Sequence, residues 1–242
     1  MEHRNDADVI VVGGGHNGLI CAAYLARAGI DTMLVEGRSE VGGCASTVSD
    51  LGARFNICNC DHSMVRAMPI IDELDLAAFG LRYVEPVVTN VNRFYDDSPS
   101  WLFLHDVEAH LEALSTTHPH AVAGYRRYLA DAMPVAQLIV EMARTKPSLA
   151  AMSSTVLRRR AAGAARLLSW SKLSQADVLG RYFDDWHLVM PAVTSGPTVW
   201  GVPPTAPGTG LAAALYATRH TIKSGRPVGG SGALTDLSLI HI

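Results

Sequence analysis

The sequence predicts an α/β protein in which a parallel βαβ unit is followed by a mostly helical region with one β-hairpin. An apolar run at Val9–Val12 leads through a glycine-rich loop into an Ala-rich segment and then into a second β-like run, Thr32–Val35. Beyond residue 105 most of the sequence has helical periodicity. With 242 residues, of which 48% are hydrophobic and 18% charged, the chain can bury one large core and a second, smaller one.

The loop after the first strand has the spacing G-x-G-x-x-G, with glycine at positions 13, 15 and 18. Gly13 makes the tight turn off the strand, Gly15 allows the backbone to approach a pyrophosphate, and Gly18 allows close packing of helix on strand. His16 and Asn17 lie within this loop, just before the helix predicted at Leu19–Ala28. At the N-terminus of that helix, free N–H groups and the helix dipole stabilise an anion. A strand, this loop and a helix in that order predict a Rossmann-type dinucleotide-binding unit.

The second strand ends in an acidic residue, Glu36, at the distance from the loop that dinucleotide-binding units require. A carboxylate there accepts hydrogen bonds from both ribose hydroxyls of an adenosine and repels a 2′-phosphate, so NADP is disfavoured. The residues that follow, Glu36-x-Arg38-x-x-x-Gly42-Gly43, resemble the E-x-R-x-x-x-G-G sequence of a large FAD-dependent group. That group includes phytoene desaturases, monoamine oxidases and protoporphyrinogen oxidases.

The loop sequence Gly-His-Asn-Gly-Leu narrows the resemblance to the phytoene-desaturase-like NAD(P)/FAD-dependent oxidoreductases, including the group named pyridine nucleotide-disulphide oxidoreductase domain-containing protein 2. The resemblance implies FAD as the cofactor. The loop glycines and Gly43 would face its pyrophosphate, Glu36 its ribose, and Arg38 its adenosine side. The predicted cofactor-binding residues are Gly13, Gly15, His16, Asn17, Gly18, Glu36, Arg38, Gly42 and Gly43.

Two residues depart from the amine oxidases in this superfamily. Those enzymes usually carry Arg after the Gly-Gly pair, where this chain has Cys44, and many relatives have an acidic residue where this chain has Asn56. Both departures favour the desaturase-like group. The resemblance therefore implies an FAD-dependent oxidoreductase that oxidises a C–H bond of an apolar isoprenoid or lipid substrate by hydride transfer to the flavin. The sequence identifies no catalytic residue.

Three alternatives remain open at this point. A non-redox protein that binds a prenyl lipid, like the Rab escort and GDP-dissociation inhibitor relatives, would share the fold, although the intact loop glycines and Glu36 argue against it. A flavin-dependent isomerase would share all the cofactor residues. An NAD-linked dehydrogenase would keep the first loop but would not need the residues that follow Glu36.

Strand and helix patterns continue after residue 65. Val87–Tyr95 and Trp101–Leu104 are β-like runs separated by a turn, which predicts a hairpin. Asp106 is the predicted N-cap of a helix that runs to Leu114. Further predictions are a helix at 121–144 kinked at Pro134, helices at 148–169, 174–194 (with a capping box at Ser174–Asp177) and 211–224, and a loop at 201–210.

These patterns divide the chain into three segments. Residues 1–65 form the FAD-binding βαβ portion, residues 66–225 form a mostly helical substrate domain inserted into it, and residues 226–242 begin the return to the cofactor domain. The return is short and Leu237–Ile242 fits it poorly, so we expect an N-terminal fragment. Six side chains at core-like spacing could also line an apolar substrate cavity: Trp170, Tyr182, Phe183, Trp186, Met190 and Trp200.

The charge of the chain and its N-terminal sequence limit the binding partners and the location that we expect for it. A net charge of -3 predicts no general affinity for nucleic acid. The basic run at Arg158, Arg159 and Arg160 is most simply a solvated helix face, and peripheral contact with an anionic membrane is the alternative. We find no targeting signal in Met1–Asp8 and expect a cytoplasmic protein. We expect no metal site, because His118-Pro119-His120 has no Cys, Asp or Glu at ligand spacing.

Overall fold

The computed structural model of the chain describes residues 6–58, 60–158 and 163–238. The chain divides into two compact units: unit 1 comprises residues 1–86 and 224–242, and unit 2 comprises residues 87–223. The sequence patterns place these divisions at residues 65 and 225 instead. Unit 1 extends to residue 86 because Leu74, Leu76 and Leu81 pack with Ala23 and Leu234 in its core.

Unit 1 contains both strands and helices, whereas helices dominate unit 2. The strands are β1 (Val9–Val12), β2 (Thr32–Val35), β3 (Thr47–Asp50), β4 (Ala53–Asn56), β5 (Tyr83–Val84), β6 (Val88–Asn92), β7 (Trp101–Leu104) and β8 (Arg226–Pro227). The α-helices are α1 (His16–Arg27), α2 (Ser63–Ala67), α3 (Ile70–Glu73), α4 (Val107–Thr117), α5 (Val122–Ala143), α6 (Leu149–Arg158), α7 (Ala164–Trp170), α8 (Gln175–Leu179), α9 (Trp186–Val193), α10 (Leu211–Ala217) and α11 (Gly232–Ser238).

The predicted βαβ unit is present in unit 1. Strands β1 and β2 pair in parallel, with Val9 opposite Thr32 and Val12 opposite Val35, and α1 connects them. Helix α1 packs closely on the loop before it, because a Cβ atom at Gly18 would overlap the carbonyl oxygen of Gly13. This close approach is the role predicted for the third glycine of the loop.

The outer surface of this two-stranded sheet is apolar. Within the described residues no third strand pairs with β1 or β2. The exposed side chains are Ile10 (57% exposed), Val12 (83%) and Val35. A parallel sheet normally has both faces covered, so this surface is unusual for a Rossmann-type unit.

Unit 2 begins with the predicted hairpin, β6 paired antiparallel with β7, and with a helix capped by Asp106, whose Oδ1 accepts the Ala109 N–H at 2.8 Å. Helix α5 runs without a break through Pro134. A large aromatic core lies between the hairpin and the helices, with Trp101, Phe103, Tyr125, Tyr128 and Trp170 fully buried. Among the described residues, no helix is long and apolar enough to cross a membrane.

The predicted long helices of unit 2 are shorter in the structure. The predicted helix at 174–194 is two helices, because Asp185 accepts the His187 N–H at 3.0 Å and so caps a new helix, α9. The capping box at Ser174 and Asp177 opens α8 as predicted. At 148–169 the described residues form α6 and α7, with Gly163 in a left-handed conformation (φ 78°) before α7. The predicted helix at 211–224 ends at Ala217 and continues as a single 3-10 turn.

Gly18→Ala tests the close packing of α1. Ala has the higher helix propensity by about 1 kcal/mol, so an isolated helix would gain stability from this change. Because the new Cβ would overlap the carbonyl oxygen of Gly13, we expect instead a loss of about 1–3 kcal/mol in the free energy of unfolding, measured by urea denaturation. The control is Gly37→Ala, whose Cβ meets no atom within 4 Å. Equal stabilities of the two variants would contradict the packing argument.

The stability of unit 2 depends on pH through His110. Burial, reinforced by repulsion from His220, lowers the pKa of His110 to about 3. The unfolded chain therefore binds more protons than the folded chain between pH 6.5 and 3, and stability falls as pH falls through that range. We expect His110→Phe to reduce the slope of unfolding free energy against pH by up to about 1.4 kcal/mol per pH unit, measured by urea denaturation at several pH values. An unchanged slope would show that folding does not shift the titration of His110.

Candidate functional site

The two glycine motifs meet in the structure of unit 1. The Gly42 N–H donates to the Gly14 carbonyl oxygen at 2.7 Å, and Gly15 and Gly42 form a parallel β-bridge. A Cβ built on Gly15 would lie 3.8 Å from the Cα of Gly43. The phosphate loop and the Gly-Gly pair therefore line one surface with bare backbone, which is what a pyrophosphate needs for close approach.

The N-terminus of α1 opens onto this glycine surface. Gly15 is the N-cap in an extended conformation (φ −72°, ψ 170°), and no side chain caps the helix. The N–H groups of the first turn, at His16, Asn17 and Gly18, have no partner four residues earlier within the helix. Together with the helix dipole they form a site that favours an anion.

Glu36 is bound to the loop. Its Oε2 accepts the Gly14 N–H at 2.6 Å, and its Oε1 accepts the Arg38 N–H at 3.0 Å. These backbone hydrogen bonds, from Arg38 first and Gly14 second, lower the pKa of Glu36, so the carboxylate is ionised at neutral pH. Each carboxylate oxygen has a second lone pair and can also accept a hydrogen bond from a ribose hydroxyl.

The structure brings eight of the nine predicted cofactor residues together. They lie in the phosphate loop, at the start of α1, at Glu36 and in the Gly42–Gly43 pair. Arg38 stands at the edge, with its side chain half-exposed and its Nε 3.7 Å from Glu36 Oε1. His16 begins α1. The site is therefore one for binding, and its chemistry would come from the bound molecule.

Asn56, which departs from the acidic residue of many relatives, has a structural role that the sequence did not reveal. Its Oδ1 accepts the Ser231 N–H at 2.9 Å and the Thr47 hydroxyl at 3.0 Å. The Thr47 hydroxyl oxygen in turn accepts the Gly232 N–H at 2.9 Å. These contacts hold the returning segment and the start of α11 against β3 and β4.

The six aromatic and Met residues suggested for a substrate cavity do not act as one group. Trp170 and Phe183 are buried in the core of unit 2, and the Tyr182 hydroxyl donates to Asp131 Oδ2 at 2.7 Å. Trp186, Met190 and Trp200 are exposed large side chains. Core packing in unit 2 thus accounts for Trp170, Phe183 and Tyr182, which packs against the same core.

The basic run and the C-terminal tail lie partly outside the described residues. Arg158 is described: its Nη2 is 3.1 Å from Thr155 Oγ1 and 3.9 Å from Glu141 Oε1. Arg159 and Arg160 fall outside the described residues, as do the last four positions of Leu237–Ile242. Membrane contact through this run stays a prediction.

The structure places acidic residues beside His118 and His120, contrary to the expectation from spacing. Asp185 Oδ2 is 2.9 Å from His120 Nε2, and His118, Asp185 and His187 each offer a ligand atom within 4.8 Å of the others. The acidic partner is far along the sequence, so spacing within the His-Pro-His motif could not reveal it.

Residues 11–67 match the family described as the NAD(P)-binding Rossmann-like domain. This part of the chain has a Rossmann-like fold. The matched residues contain the phosphate loop, Glu36 and the Gly-Gly pair, so the family assignment and the geometry rest on the same residues.

Curated relatives confirm the resemblance to desaturase-like oxidoreductases of flavin type. The chain is 34% identical over 126 residues to a limonene dehydrogenase component of Castellaniella defragrans, covering 52% of this chain and 23% of that protein. It is 29% identical over 236 residues to the lycopene-forming phytoene desaturase of Pseudescherichia vulneris, covering 94% of this chain and 45% of that protein. It is also 40% identical over 80 residues to mouse pyridine nucleotide-disulfide oxidoreductase domain-containing protein 2, covering 33% of this chain and 14% of that protein. The chain spans less than half the length of these relatives.

Solved structures confirm the fold. A putrescine oxidase variant from a cofactor-binding redesign superposes with a TM-score of 0.61 at 18% identity, over 97% of this chain and 48% of that chain. A Rab GDI from Plasmodium falciparum superposes with a TM-score of 0.53 at 10% identity, over 97% of this chain and 56% of that chain. The same fold thus occurs in an oxidase and in a protein of the GDI group, so the fold alone does not decide the function.

Gly15→Ala separates folding from dinucleotide binding. Gly15 has an ordinary φ of −72°, and its new Cβ would meet only the Cα of Gly43 at 3.8 Å, so the variant should fold normally. The added methyl group would occupy the surface that a pyrophosphate must approach, so we expect at least about a tenfold loss of FAD affinity, or about 1.4 kcal/mol. Fluorescence titration with FAD measures the affinity, and circular dichroism checks the fold.

Gly37→Ala is the matched control for this change, since it lies beside Glu36 and its Cβ would meet open space. It should bind FAD as the unmodified chain does. Equal affinities of the Gly15→Ala and Gly37→Ala proteins would show that the pyrophosphate lies elsewhere.

Proposed function

We propose that this chain is part of an FAD-dependent oxidoreductase that oxidises a C–H bond of an apolar, isoprenoid-like substrate. The observation that carries the proposal is the meeting of the phosphate loop, the Gly42–Gly43 pair and the ionised Glu36 at the uncapped start of α1. A dehydrogenase that uses only NAD needs the loop and Glu36 but has no need for the Gly-Gly pair. The pair thus favours FAD.

The chain's own residues fit such a cofactor. The bare glycine backbone would lie against the pyrophosphate, and the first-turn N–H groups of α1 would stabilise its charge. Glu36 would accept hydrogen bonds from the ribose, and its negative charge would oppose the 2′-phosphate of NADP. When bound, the flavin would supply a hydride acceptor for a substrate C–H bond.

Support for an apolar substrate comes from the names of the relatives. Limonene dehydrogenase, phytoene desaturase and carotenoid 3,4-desaturase are named for hydrocarbon or carotenoid substrates. The putrescine oxidase shares the fold at only 18% identity and carries no argument for an amine substrate. Cys44, in place of the arginine usual in amine oxidases, agrees with this choice.

FAD binding is tested with the purified chain after incubation with FAD and gel filtration. We expect flavin absorption bands to elute with the protein, and FAD, identified by chromatography, to be released on denaturation. NAD should bind more weakly than FAD in a competition titration. A chain that takes up neither molecule would contradict the proposal. Binding of a prenyl lipid by a chain that takes up no flavin would favour the GDI-like alternative.

Glu36→Ala tests the ribose contact. Loss of charge-assisted hydrogen bonds should weaken FAD binding roughly 10- to 100-fold, and Glu36→Gln, which keeps one oxygen acceptor, should lie in between. Fluorescence titration measures both affinities. Glu112→Ala is the control, because Glu112 is an exposed acidic residue on α4 in unit 2. If the Glu36→Ala and Glu112→Ala proteins bind FAD equally well, Glu36 has no role at the ribose.

A further inference from the structure

Unit 2 contains a cluster of histidine and aspartate side chains that the proposed oxidoreductase chemistry does not use. His118 lies at the junction between α4 and the following 3-10 turn, and Asp185 and His187 lie at the start of α9. One ligand atom from each of the three lies within 4.8 Å of the others. His118 is buried, and the other two are partly buried.

We propose that His118, Asp185 and His187 form a binding site for a divalent transition-metal ion of the zinc or cobalt type. Two imidazoles and one carboxylate are the ligand types that such ions prefer, and three protein ligands leave a fourth position for water or another ligand. Bonds of about 2.0–2.1 Å in a tetrahedral site place ligand atoms roughly 3.3 Å apart. In the structure one ligand atom from each of the three residues lies within 4.8 Å of the others, and His187 Nδ1 is 2.6 Å from Asp185 Oδ1. Small rotations of these side chains would therefore reach the spacing that a bound ion needs.

Each proposed ligand has its second polar atom held by another residue. Asp96 Oδ2 lies 2.9 Å from His187 Nε2, which leaves Nδ1 as the atom that faces Asp185. His120 Nε2 lies 2.9 Å from Asp185 Oδ2. Metal-binding histidines almost always donate their other N–H to a carboxylate, carbonyl or water, and the Asp96–His187 contact has this arrangement.

The rings are also held in place by neighbours. The His187 ring lies 3.9 Å from the Trp186 ring and 4.6 Å from the Phe94 ring, centroid to centroid. The Thr117 hydroxyl is 3.0 Å from His118 Nδ1, which leaves Nε2 as the ligand atom of that residue. A site that is oriented before the ion arrives binds it more tightly, because fewer side-chain rotations must be frozen.

The site opens beside a small cavity. His120, Asp185 and Leu188 line a space of about 120 Å³ together with Tyr182 and Phe183. Of the three proposed ligands, Asp185 lines this cavity. Three protein ligands with an open fourth position are typical of exchangeable ions rather than of closed structural ones.

Cobalt binding to the full chain tests the proposal. The four exposed thiols would compete for the ion, so the background carries Cys21→Ser, Cys44→Ser, Cys58→Ser and Cys60→Ser. We expect one Co²⁺ per chain, with the visible absorption of a four-coordinate site and no near-ultraviolet thiolate band. Zn²⁺ should displace the Co²⁺ and raise the melting temperature of the chain.

Three variants in this background assign the site. His187→Ala should abolish the visible band, and Asp96→Asn, which removes only the orienting carboxylate, should weaken binding 10- to 100-fold. Glu112→Ala, at an exposed acidic residue of α4 outside the cluster, should bind Co²⁺ normally. Circular dichroism checks the fold of each protein. Should His187→Ala fail to fold, the Asp96→Asn result decides, because Asp96 lies in the partly exposed hairpin turn. The proposal would be overturned if the visible band were absent, or if neither His187→Ala nor Asp96→Asn changed it. The three residues would then be a cluster of ion pairs without a metal.

Discussion

The contact between Gly18 and the carbonyl of Gly13 sets the geometry on which the candidate site depends. It allows α1 to begin at His16, with only three residues separating it from the end of β1 at Val12, so the start of the helix lies close to the end of the strand. The Gly42 N–H then donates to the Gly14 carbonyl oxygen, and Glu36, at the end of β2, accepts the Gly14 N–H. A side chain at position 18 would push the helix outward and separate these three elements.

Local motifs made the βαβ part of unit 1 predictable, whereas they did not predict the β3–β4 and β5–β8 pairs or helices α2 and α3. The strand, loop, helix and acidic residue lie within one short stretch of sequence, and each has a backbone requirement that glycine or a carboxylate alone meets. The Asn56 contacts were not predictable, because Ser231 is far away along the chain. Likewise, no spacing rule could place Asp185 beside His120, since only the packing of unit 2 brings α9 to the end of α4.

Helix boundaries in unit 2 show a second limit of sequence patterns. Hydrophobic periodicity continues across residues 174–194, yet the side chain of Asp185 captures a backbone N–H and begins a separate helix. At Pro134 the residue type suggests an interruption, yet α5 continues through it without a break. Hydrophobic periodicity indicates which face of a helix is buried. Helix ends depend instead on side chains that compete for backbone hydrogen bonds, and the hydrophobic pattern contains no information about those bonds.

The apolar outer face of the β1–β2 sheet has a practical consequence. Ile10, Val12 and Val35 form a surface that water solvates poorly and that lies beside unpaired strand edges within the described residues. Edges of this kind recruit other strands, including those of neighbouring copies. The isolated chain would therefore self-associate as its concentration rises, and light scattering belongs beside every ligand titration of this protein.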